Sequence, residues 1–254
     1  AYMETYAYAV TTDIHGNIYV SGDLYGDTIS FDSQTIVLPE PYEQASFLVK
    51  YNPDGSFVWA KMGLGGRGAY SVAIDGNGDL YTSGIFNNEI NFDNHLIHSS
   101  GACYGIFLAK YNEQGLFLWA KASRYSFEGS GTPNASSKAL CTDLNNDVYI
   151  TGLFGSDTLW LDDHYVSNTL SVWNVFIAKY DTDGNVLWAK GAESRPSLFK
   201  CSGNSLIAND NSIYLAGEFE GDSVFFENHI ITRAGDYSDM FLCKYDPLGN
   251  ALWA

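Results

Sequence analysis

One segment of this chain occurs four times, and this repetition restricts the fold more than any other feature. The segment first runs from Phe47 to Lys61 (FLVKYNPDGSFVWAK), and it returns at Phe107 to Lys121, Phe176 to Lys190 and Phe241 to Ala254. A second segment precedes each copy, and its tyrosines are Tyr19, Tyr81, Tyr149 and Tyr214. These tyrosines are 62, 68 and 65 residues apart, and the tryptophans of the first segment are 60, 69 and 65 apart. Two segments that recur with nearly the same spacing define a repeat of about 65 residues.

A third motif lies between these two segments in every repeat. An apolar alternation runs into a short polar turn at Phe31-Asp32, Phe92-Asp93, Leu161-Asp162 and Phe226-Glu227. This pattern predicts a β-hairpin. Each repeat therefore has a predicted strand before its Asp-rich turn, a strand through Tyr-x-x-Gly, the hairpin, a strand through Phe-x-x-Lys-Tyr, a tight turn and a strand that ends in Trp-Ala.

The repeat unit favours a β-propeller blade over a β-sandwich, because its strands are short and its turn signals are frequent. The Phe-x-x-Lys-Tyr strand is apolar on both sides, as expected for a sheet packed on both faces. We predict an all-β propeller segment whose four blades are residues 1–61, 62–121, 122–190 and 191–254. A solenoid is the main alternative. Because four isolated blades leave two open edges, we expect further blades from a longer chain or a partner, with a complete four-bladed ring as the other option.

Composition limits the possible partners. Of the 254 residues, 46% are apolar and 15% are aromatic, which suits a sizeable β-sheet core. Thirty acidic residues against 13 basic ones give a formal charge of −17, which repels nucleic acid and anionic lipid. No apolar run approaches the roughly 18 residues of a membrane-spanning helix. We therefore expect neither nucleic-acid binding nor membrane insertion.

Taken in order, the motifs DxxGNxYxxG, the FD hairpin and FxxKYxxxGxxxWAK resemble the bacterial β-propeller repeats called SBBP repeats. These repeats are abundant in secreted and cell-surface proteins of Bacteroidetes-type bacteria. The resemblance covers essentially the whole chain, although the fourth repeat has Ala208 where the others have Asp13, Asp75 and Asp143. It implies an extracellular, multi-bladed, non-catalytic scaffold, frequently delivered by type IX secretion, and it implies no agreed ligand.

A fainter resemblance concerns the start of the hairpins. An Asp-Ser/Thr-apolar triplet, similar to the O-glycosylation acceptor of the same bacteria, begins at Asp27, Asp157 and Asp222. The candidate modified residues are Thr28, Thr158 and Ser223. The alternative is that hairpin starts simply favour Asp-Thr. An N-glycosylation triplet at residues 134–136 matches by pattern only.

The repeated lysines are interpreted as structural, since a catalytic lysine is usually single. Seven of the nine lysines stand at repeat positions. They are Lys50, Lys110, Lys179 and Lys244 before Tyr, and Lys61, Lys121 and Lys190 after Trp-Ala. We expect their aliphatic stems to pack between blades and their ammonium groups to meet repeat carboxylates.

Metal ligands and cysteines give no strong signal. His95, His164 and His229 recur at one hairpin position, so successive blades hold them too far apart for one zinc ion. The acidic turns at residues 75–79 and 181–185 begin like an EF-hand loop but lack its closing glutamate, which leaves only weak calcium binding open. The four cysteines form no disulfide or metal pattern, and Cys243 is predicted to be a small buried apolar residue. We expect no required cofactor.

Ligand binding is predicted where the repeat breaks. The longest insertion, Ala122 to Lys138, is a Ser/Gly-rich loop that contains Arg124, Tyr125 and Phe127. Tyr104 and Trp173 share one slot before the Phe strand in the second and third repeats. Their rings either stack on sugars or pack between blades.

Enzyme motifs such as Gly-x-Ser-x-Gly, His-Glu-x-x-His and the phosphate loop are absent from the sequence. We therefore predict a non-catalytic, exported scaffold or interaction module that binds protein or glycan at a bacterial cell surface, with adhesion as one use. The alternative is a propeller-fold polysaccharide hydrolase or lyase. Its signature would be a polar cleft with two carboxylates about 5 to 9 Å apart.

Overall fold

The computed structural model describes residues 4–32, 34–40, 42–99, 104–126, 134–168, 173–195, 200–209, 211–235 and 237–254. Regular structure in these ranges is entirely β-strand, which confirms the all-β prediction, and no helix there could span a membrane. The strands are β1 (Glu4–Thr12), β2 (Ile18–Tyr25), β3 (Thr28–Phe31), β4 (Gln34–Val37), β5 (Gln44–Tyr51), β6 (Phe57–Ile74), β7 (Leu80–Phe92), β8 (His95–His98), β9 (Tyr104–Tyr111), β10 (Phe117–Ala122), β11 (Arg124–Ser126), β12 (Ala135–Thr142), β13 (Val148–Phe154), β14 (Thr158–Leu161), β15 (His164–Ser167), β16 (Asn174–Tyr180), β17 (Val186–Gly191), β18 (Glu193–Arg195), β19 (Cys201–Asn209), β20 (Ser212–Phe219), β21 (Ser223–Phe226), β22 (His229–Thr232), β23 (Asp239–Tyr245) and β24 (Ala251–Trp253).

The chain divides into two compact units, Ala1–Ala122 and Ser123–Ala254. In the first unit one antiparallel sheet has the order β1-β2-β5-β6-β7-β9-β10, with β8 beside β7, and β3 pairs with β4. In the second unit, two four-stranded sheets have the orders β12-β13-β16-β17 and β19-β20-β23-β24, and two three-stranded sheets hold the hairpins. Strand β6 runs through the predicted boundary at residue 61, because it pairs first with β5 and then with β7. The limits of the four blades therefore stay a prediction.

The Asp-rich turn is closed by one carboxylate. Asp13 accepts hydrogen bonds at Oδ1 from the amides of His15 and Asn17, and at Oδ2 from the Tyr19 hydroxyl at 3.0 Å. Asp75 and Asp143 repeat the pattern with Tyr81 and Tyr149. These bonds satisfy turn amides and a buried phenol that would otherwise lie unpaired. The spacing of Asp and Tyr in the repeat thus follows from one hydrogen-bonded turn.

The predicted hairpins are present, and each closes through a two-residue turn. Phe92 pairs with His95, so the turn residues are Asp93 and Asn94, which have φ values of 46° and 71°. Asp162 and Glu227 occupy the same place with φ values of 49° and 52°. A two-residue hairpin loop needs positive φ, a conformation that Asp and Asn tolerate better than most residues.

Each unit has its own buried core. In the first unit, the faces of β5 and β2 around Phe47 and Val49 form one cluster with the β3–β4 hairpin. A second cluster joins Tyr19 and Leu48 of the first repeat to Val72, Phe92 and other apolar residues of the second repeat. In the second unit, one cluster joins the third repeat to the fourth. The strands β5, β9 and β16 are buried on both faces along most of their length, so the two-sided apolar pattern is explained.

Five of the seven repeated lysines meet carboxylates among the described residues, in agreement with the prediction for those five. Lys61 lies 3.4 Å from Asp93, and Lys190 lies 2.9 Å from Glu227, so the lysine after Trp-Ala reaches the hairpin of the following repeat. The lysine before Tyr lies over the repeat tyrosine, and in the first three repeats it also pairs with a turn carboxylate. The pairs are Lys50–Glu113, Lys110–Asp79, Lys179–Asp143 and Lys179–Asp147. Because these latter lysines are largely buried, their charges require these partners.

The glycine of Tyr-x-x-Gly permits a β-bulge. In each repeat the register slips by one residue opposite this glycine, between Ala7 and Ala9 in the first repeat and between Ser137 and Ala139 in the third. A Cβ atom placed on Gly152 would overlap the carbonyl oxygen of Ser136, and the corresponding glycines have the same contact. Only a residue without a side chain fits here.

Replacing Gly152 by alanine tests this requirement. We expect Gly152→Ala to lower the free energy of unfolding by about 1 to 3 kcal/mol, because the methyl group displaces the bulge backbone. Gly155→Ala, three residues along, is the matched control, since a Cβ there meets Trp173 at an ordinary 3.5 Å. The control should stay within about 1 kcal/mol of the unchanged protein in urea titrations. Equal losses for both variants would show that the bulge does not need glycine.

Candidate functional site

The β-bulge places one extra side chain on the first long strand of each repeat. The register shifts identify these bulge residues as Tyr8 on β1, Tyr70 on β6, Lys138 on β12 and Asn204 on β19. Bulges redirect a side chain away from the regular alternation of a strand, and they are frequent beside functional sites. All four repeats have a bulge at this place, and its side chain is tyrosine in the first two repeats, lysine in the third and asparagine in the fourth. This position is the candidate functional site, and it is described separately for each unit.

In the first unit the bulge residues surround a buried acid. The rings of Tyr8 and Tyr70 meet edge to face with centroids 4.8 Å apart, and Tyr6 stacks on Tyr8. The Tyr8 hydroxyl donates to Oδ2 of Asp23 at 3.2 Å. Asp23 is only 1% exposed, and among the described residues no donor reaches its Oδ1. A carboxylate so placed is costly, since its charge is removed from water with incomplete compensation.

The environment of Asp23 changes its ionisation. Burial raises the pKa of this carboxyl to about 6, although hydrogen bonds from Tyr8 and Tyr25 act in the opposite direction. Burial also raises the pKa of the Tyr70 phenol to about 12, with a further contribution from the Asp23 charge. The tyrosines are therefore neutral hydrogen-bond donors at physiological pH. The acid, in contrast, changes its charge near pH 6.

Arg67 extends this cluster toward the hairpin end of the strands. Its Nε donates to Oε1 of Gln44 at 2.9 Å, and its guanidinium lies 5.2 Å from the Tyr104 ring and donates to the Tyr104 hydroxyl. The Tyr70 hydroxyl donates to the Arg67 carbonyl at 3.3 Å. A cavity of about 260 Å³ beside Arg67 is lined by Tyr42, Glu43, Gln44, Gly65 and Asn87.

In the second unit the bulge residues form a charged network. Lys138 Nζ donates to Oδ1 of Asn204 at 3.0 Å, and the Ser202 hydroxyl donates to the same oxygen. Lys200 pairs with Glu218 at 2.9 Å. Burial and the nearby Lys200 charge lower the pKa of Lys138, and Glu218 opposes this shift. The two bulges thus present an ammonium and an amide where the first unit presents two phenols.

Of the predicted ligand-binding residues, Tyr104 is the one that joins the first-unit cluster. Arg124 and Tyr125 lie on β11, which pairs with β14, and Arg124 donates to the Asp162 carbonyl at 2.9 Å. Tyr125 is only 9% exposed, whereas Trp173 is 36% exposed beside Gly155. Phe127 lies outside the described residues. The binding roles of all five residues stay predictions.

The predicted modification sites take one equivalent place in the fold. Thr28, Thr158 and Ser223 each begin the first strand of a hairpin, and all three are partly exposed. The Thr28 hydroxyl donates to Asp27 at 3.3 Å. Nothing in these contacts tests modification, which stays a prediction.

The cysteines and histidines do not assemble into a site within the described ranges. No group of three metal-ligating side chains occurs there. Burial raises the thiol pKa of Cys141, Cys201 and Cys243 to about 12, so these thiols are protonated and unreactive at neutral pH. Cys243 is fully buried, as predicted.

Sequence reasoning missed the bulge residues, although one signal was present. The second, third and fourth repeats have Ile85, Leu153 and Glu218 where the first has Asp23. An acid at a position that is apolar in two other repeats marks a break in the pattern. The bulge can be identified only from the register of the paired strands, which the glycine alone does not reveal.

Comparison with known proteins gives one distant relative. No protein-family model matches the chain, so its resemblance to SBBP repeats stays a prediction. The chain is similar to an uncharacterized WD repeat-containing protein of Acanthamoeba polyphaga mimivirus, with 29% identity over an alignment of 214 residues. The alignment covers 70% of this chain and 15% of that protein. The chain therefore spans a small part of the relative's length, and the likeness is to a protein built from propeller-type repeats.

The pH dependence of stability should reveal the buried acid. Below about pH 4, Asp23 is protonated in both the folded and the unfolded state. Between about pH 4 and pH 6 the folded state keeps this proton while the unfolded state loses it, so the free energy of unfolding falls as the pH rises. We expect Asp23→Asn to remove this fall and to stabilise the protein at pH 7 by about 1 to 3 kcal/mol. Urea titrations from pH 4 to 8 measure the effect.

Asp13→Asn is the control of opposite sign. Burial acts to raise the pKa of Asp13, but its hydrogen bonds from Asn17 and Tyr19 outweigh burial and lower it. Its stabilising contribution is therefore complete above about pH 4 and is lost as the pH falls below this value. Asp13→Asn should destabilise the protein at pH 7. A loss of stability in Asp23→Asn at pH 7 would contradict the assignment.

Proposed function

We propose that this chain is part of a β-propeller that acts as a non-catalytic scaffold and binds another protein through its bulge residues. One observation carries the proposal. A bulge occurs at the same place in four strands, and the side chain on it changes from tyrosine in the first two repeats, Tyr8 and Tyr70, to Lys138 in the third and Asn204 in the fourth. A rigid scaffold that varies one projecting side chain is suited to recognition.

The exposure and chemistry of these residues support binding. Tyr6 and Tyr8 are 44% and 43% exposed, and tyrosine is enriched in protein interfaces because its ring contributes area and its hydroxyl a hydrogen bond. Lys138 and Asn204 add polar contacts in the second unit. The WD-repeat name of the relative supports a propeller and a scaffold role. Catalysis by paired carboxylates is the alternative, and it requires a second acid that faces Asp23.

The proposal also covers the cellular location of the protein and the class of ligand that it binds. We propose that the protein is exported and works at a cell surface, and the resemblance to SBBP repeats supports this. A partner at the cell surface would offer either a protein or a glycan surface to this chain. Trp173 and Tyr104 would contact a glycan, because sugar rings stack on aromatic side chains. Neither nucleic acid nor a membrane is proposed as a partner, since the chain carries a formal charge of −17.

Partner binding should depend on the bulge tyrosines. Chemical crosslinking in the native source, followed by purification and mass spectrometry, identifies the bound protein. We expect Tyr8→Ala combined with Tyr70→Ala to weaken its binding by about tenfold or more, because each ring contributes to a desolvated contact. Tyr165→Ala is the control, since Tyr165 is 56% exposed on a hairpin.

The outcomes separate the possible ligands. Binding that survives enzymatic removal of glycans from the partner, and that falls in the double variant, supports a protein contact. Binding that is lost with the glycans, and that falls in Trp173→Ala, assigns the glycan surface instead. An unchanged affinity in the double variant would refute the role of the bulges.

The proposed glycosylation can be measured directly. Intact mass spectrometry of protein purified from its native source should show added mass relative to the bare polypeptide. The added mass should disappear in stages when Thr28, Thr158 and Ser223 are replaced by alanine. Replacement of Thr35, a hairpin hydroxyl without the acceptor pattern, should leave it unchanged. A mass equal to that of the bare chain would remove the glycosylation proposal.

A further inference from the structure

The first long strand of the second repeat contains an extra bulge. Two residues of β6, Arg67 and Gly68, lie opposite the single residue Ile85 of β7. In the first, third and fourth repeats the corresponding stretch pairs residue by residue. Gly68 has a φ of 142°, which favours glycine, and the extra residue displaces the regular alternation of side chains. Arg67 therefore stands at a place that the other repeats do not provide.

The Arg67 guanidinium is oriented by neutral groups. Its Nε donates to Oε1 of Gln44 at 2.9 Å, and the guanidinium also donates to the hydroxyl of Tyr104, whose ring lies 5.2 Å away. The Tyr70 hydroxyl donates to the backbone carbonyl of Arg67 at 3.3 Å. Arginine carries more N–H donors than these two acceptors use. The side chain is therefore held in place while donors and a positive charge remain for a ligand.

Arg67 differs in its partners from most other cations of the chain. The sequence has 30 acidic residues and only 13 basic ones, so acids are available in excess. Within the described ranges no carboxylate forms an ion pair with Arg67. By contrast, a carboxylate lies beside each of Lys50, Lys61, Lys110, Lys179, Lys190, Lys200 and Arg233. A half-buried guanidinium whose partners are all neutral favours the binding of an anion.

A cavity of about 260 Å³ lies beside Arg67, within the first unit. Its other lining residues are Tyr42, Glu43, Gln44, Gly65 and Asn87. Glu43 and Asn87 are exposed, so the cavity is open to solvent on their side. Gly65 has a φ of 88° and lies against the Tyr42 ring, since a Cβ atom there would meet a ring carbon at 3.7 Å. A guanidinium, two amides, a carboxylate and an aromatic ring thus line one space.

The groups in this cavity match a sugar that carries one carboxylate. The planar fork of an arginine binds a carboxylate through two parallel hydrogen bonds. The amides of Gln44 and Asn87 supply donors for hydroxyl oxygens, and the Tyr42 ring offers an apolar face on which a sugar ring stacks. Glu43 accepts hydrogen bonds from hydroxyl groups and repels a second negative charge. Doubly charged phosphate and polyanions are therefore disfavoured here.

We propose that this cavity binds an acidic sugar of the uronic acid class, with its carboxylate on Arg67 and its ring on Tyr42. The side chain of an acidic peptide would use Arg67 alone, whereas a sugar also uses the amides and the aromatic ring. The formal charge of −17 repels anions at long range, so the affinity depends on these short-range contacts. The inference extends the glycan part of the proposed function, on which it rests, by naming the class of sugar.

NMR titration of the purified chain with two matched probes tests the proposal. Methyl β-D-glucuronide and methyl β-D-glucoside differ only at C6, where the first has a carboxylate and the second a hydroxymethyl group. We expect the glucuronide to bind with a Kd of about 10 mM or lower, and at least about fivefold more tightly than the glucoside, because only the carboxylate engages the arginine fork. Sodium chloride should reduce this preference, since salt screens the pairing.

Three variants assign the contacts. Arg67→Gln should remove the preference for the glucuronide, because the side chain stays polar but loses its charge. Arg233→Gln is the matched control, since it removes the same charge from an arginine that pairs with Asp222, and its affinities should equal those of the unchanged protein. Tyr42→Ala should weaken glucuronide binding by about threefold or more. Far-UV circular dichroism checks folding, and Arg67→Lys, which keeps the charge but not the fork, replaces Arg67→Gln if the latter unfolds.

The amide of N-acetylglutamate, a peptide-like carboxylate, is the third probe. Weaker binding of this probe than of the glucuronide supports a sugar site, whereas equal or tighter binding would assign an acidic peptide and overturn the proposal. A Kd for the glucuronide above about 10 mM, a preference below about fivefold, or unchanged affinity in Arg67→Gln or Tyr42→Ala would also overturn it. Because these titrations use free sugars, their failure leaves the protein contact proposed at Tyr8 and Tyr70 unaffected.

Discussion

Both faces of each four-stranded sheet are apolar, and each face therefore needs a cover. In this chain the cover is the next repeat or a hairpin. Leu48 of the first repeat packs in one cluster with Val72 and Phe92 of the second, and Ile177 of the third packs with Leu215 of the fourth. Removal of apolar area from water at about 25 cal/mol per Å² makes this packing the main stabilising term. The contact of the Trp-Ala tryptophan with the turn glycine of the next repeat and the Lys–carboxylate pairs then fix how one repeat is placed on the next within a unit.

The glycine of Tyr-x-x-Gly connects this architecture to the side chains on the bulges. It allows the first strand to approach closely, and the register slips by one residue at that point. The slip frees one side chain per repeat from the packing that constrains the others. Phenol, ammonium and amide groups can therefore stand on one backbone geometry, as Tyr8, Lys138 and Asn204 do, without a change in the core.

Repetition made most of the fold predictable, because each motif was read four times. The hairpins, the strands and the role of the lysines followed from spacing and residue type. The candidate site was harder to predict from the sequence. Arg124 and Tyr125 were expected in a loop but lie on a short strand that pairs with a hairpin, because the backbone after Trp-Ala continues into that pairing. Tyr104 was predicted from its position before the Phe strand. Its contact with Arg67 could not be predicted, because it depends on the strand register and because Arg67 lies outside every repeated motif.

Asp23 shows why a break in a repeat is informative in energetic terms. Ile85 and Leu153 take the corresponding position in two other repeats, where Ile85 is half-buried and Leu153 is 8% exposed, and both stabilise by removing apolar area from water. Asp23 is more deeply buried than either residue, but its charge at neutral pH opposes folding, and only part of its hydrogen-bonding capacity is used. The fourth repeat also has an acid there, Glu218, but that acid is partly exposed and pairs with Lys200. The first repeat thus carries an acid whose cost the fold itself does not offset, beside two bulge tyrosines whose hydroxyls point to polar partners.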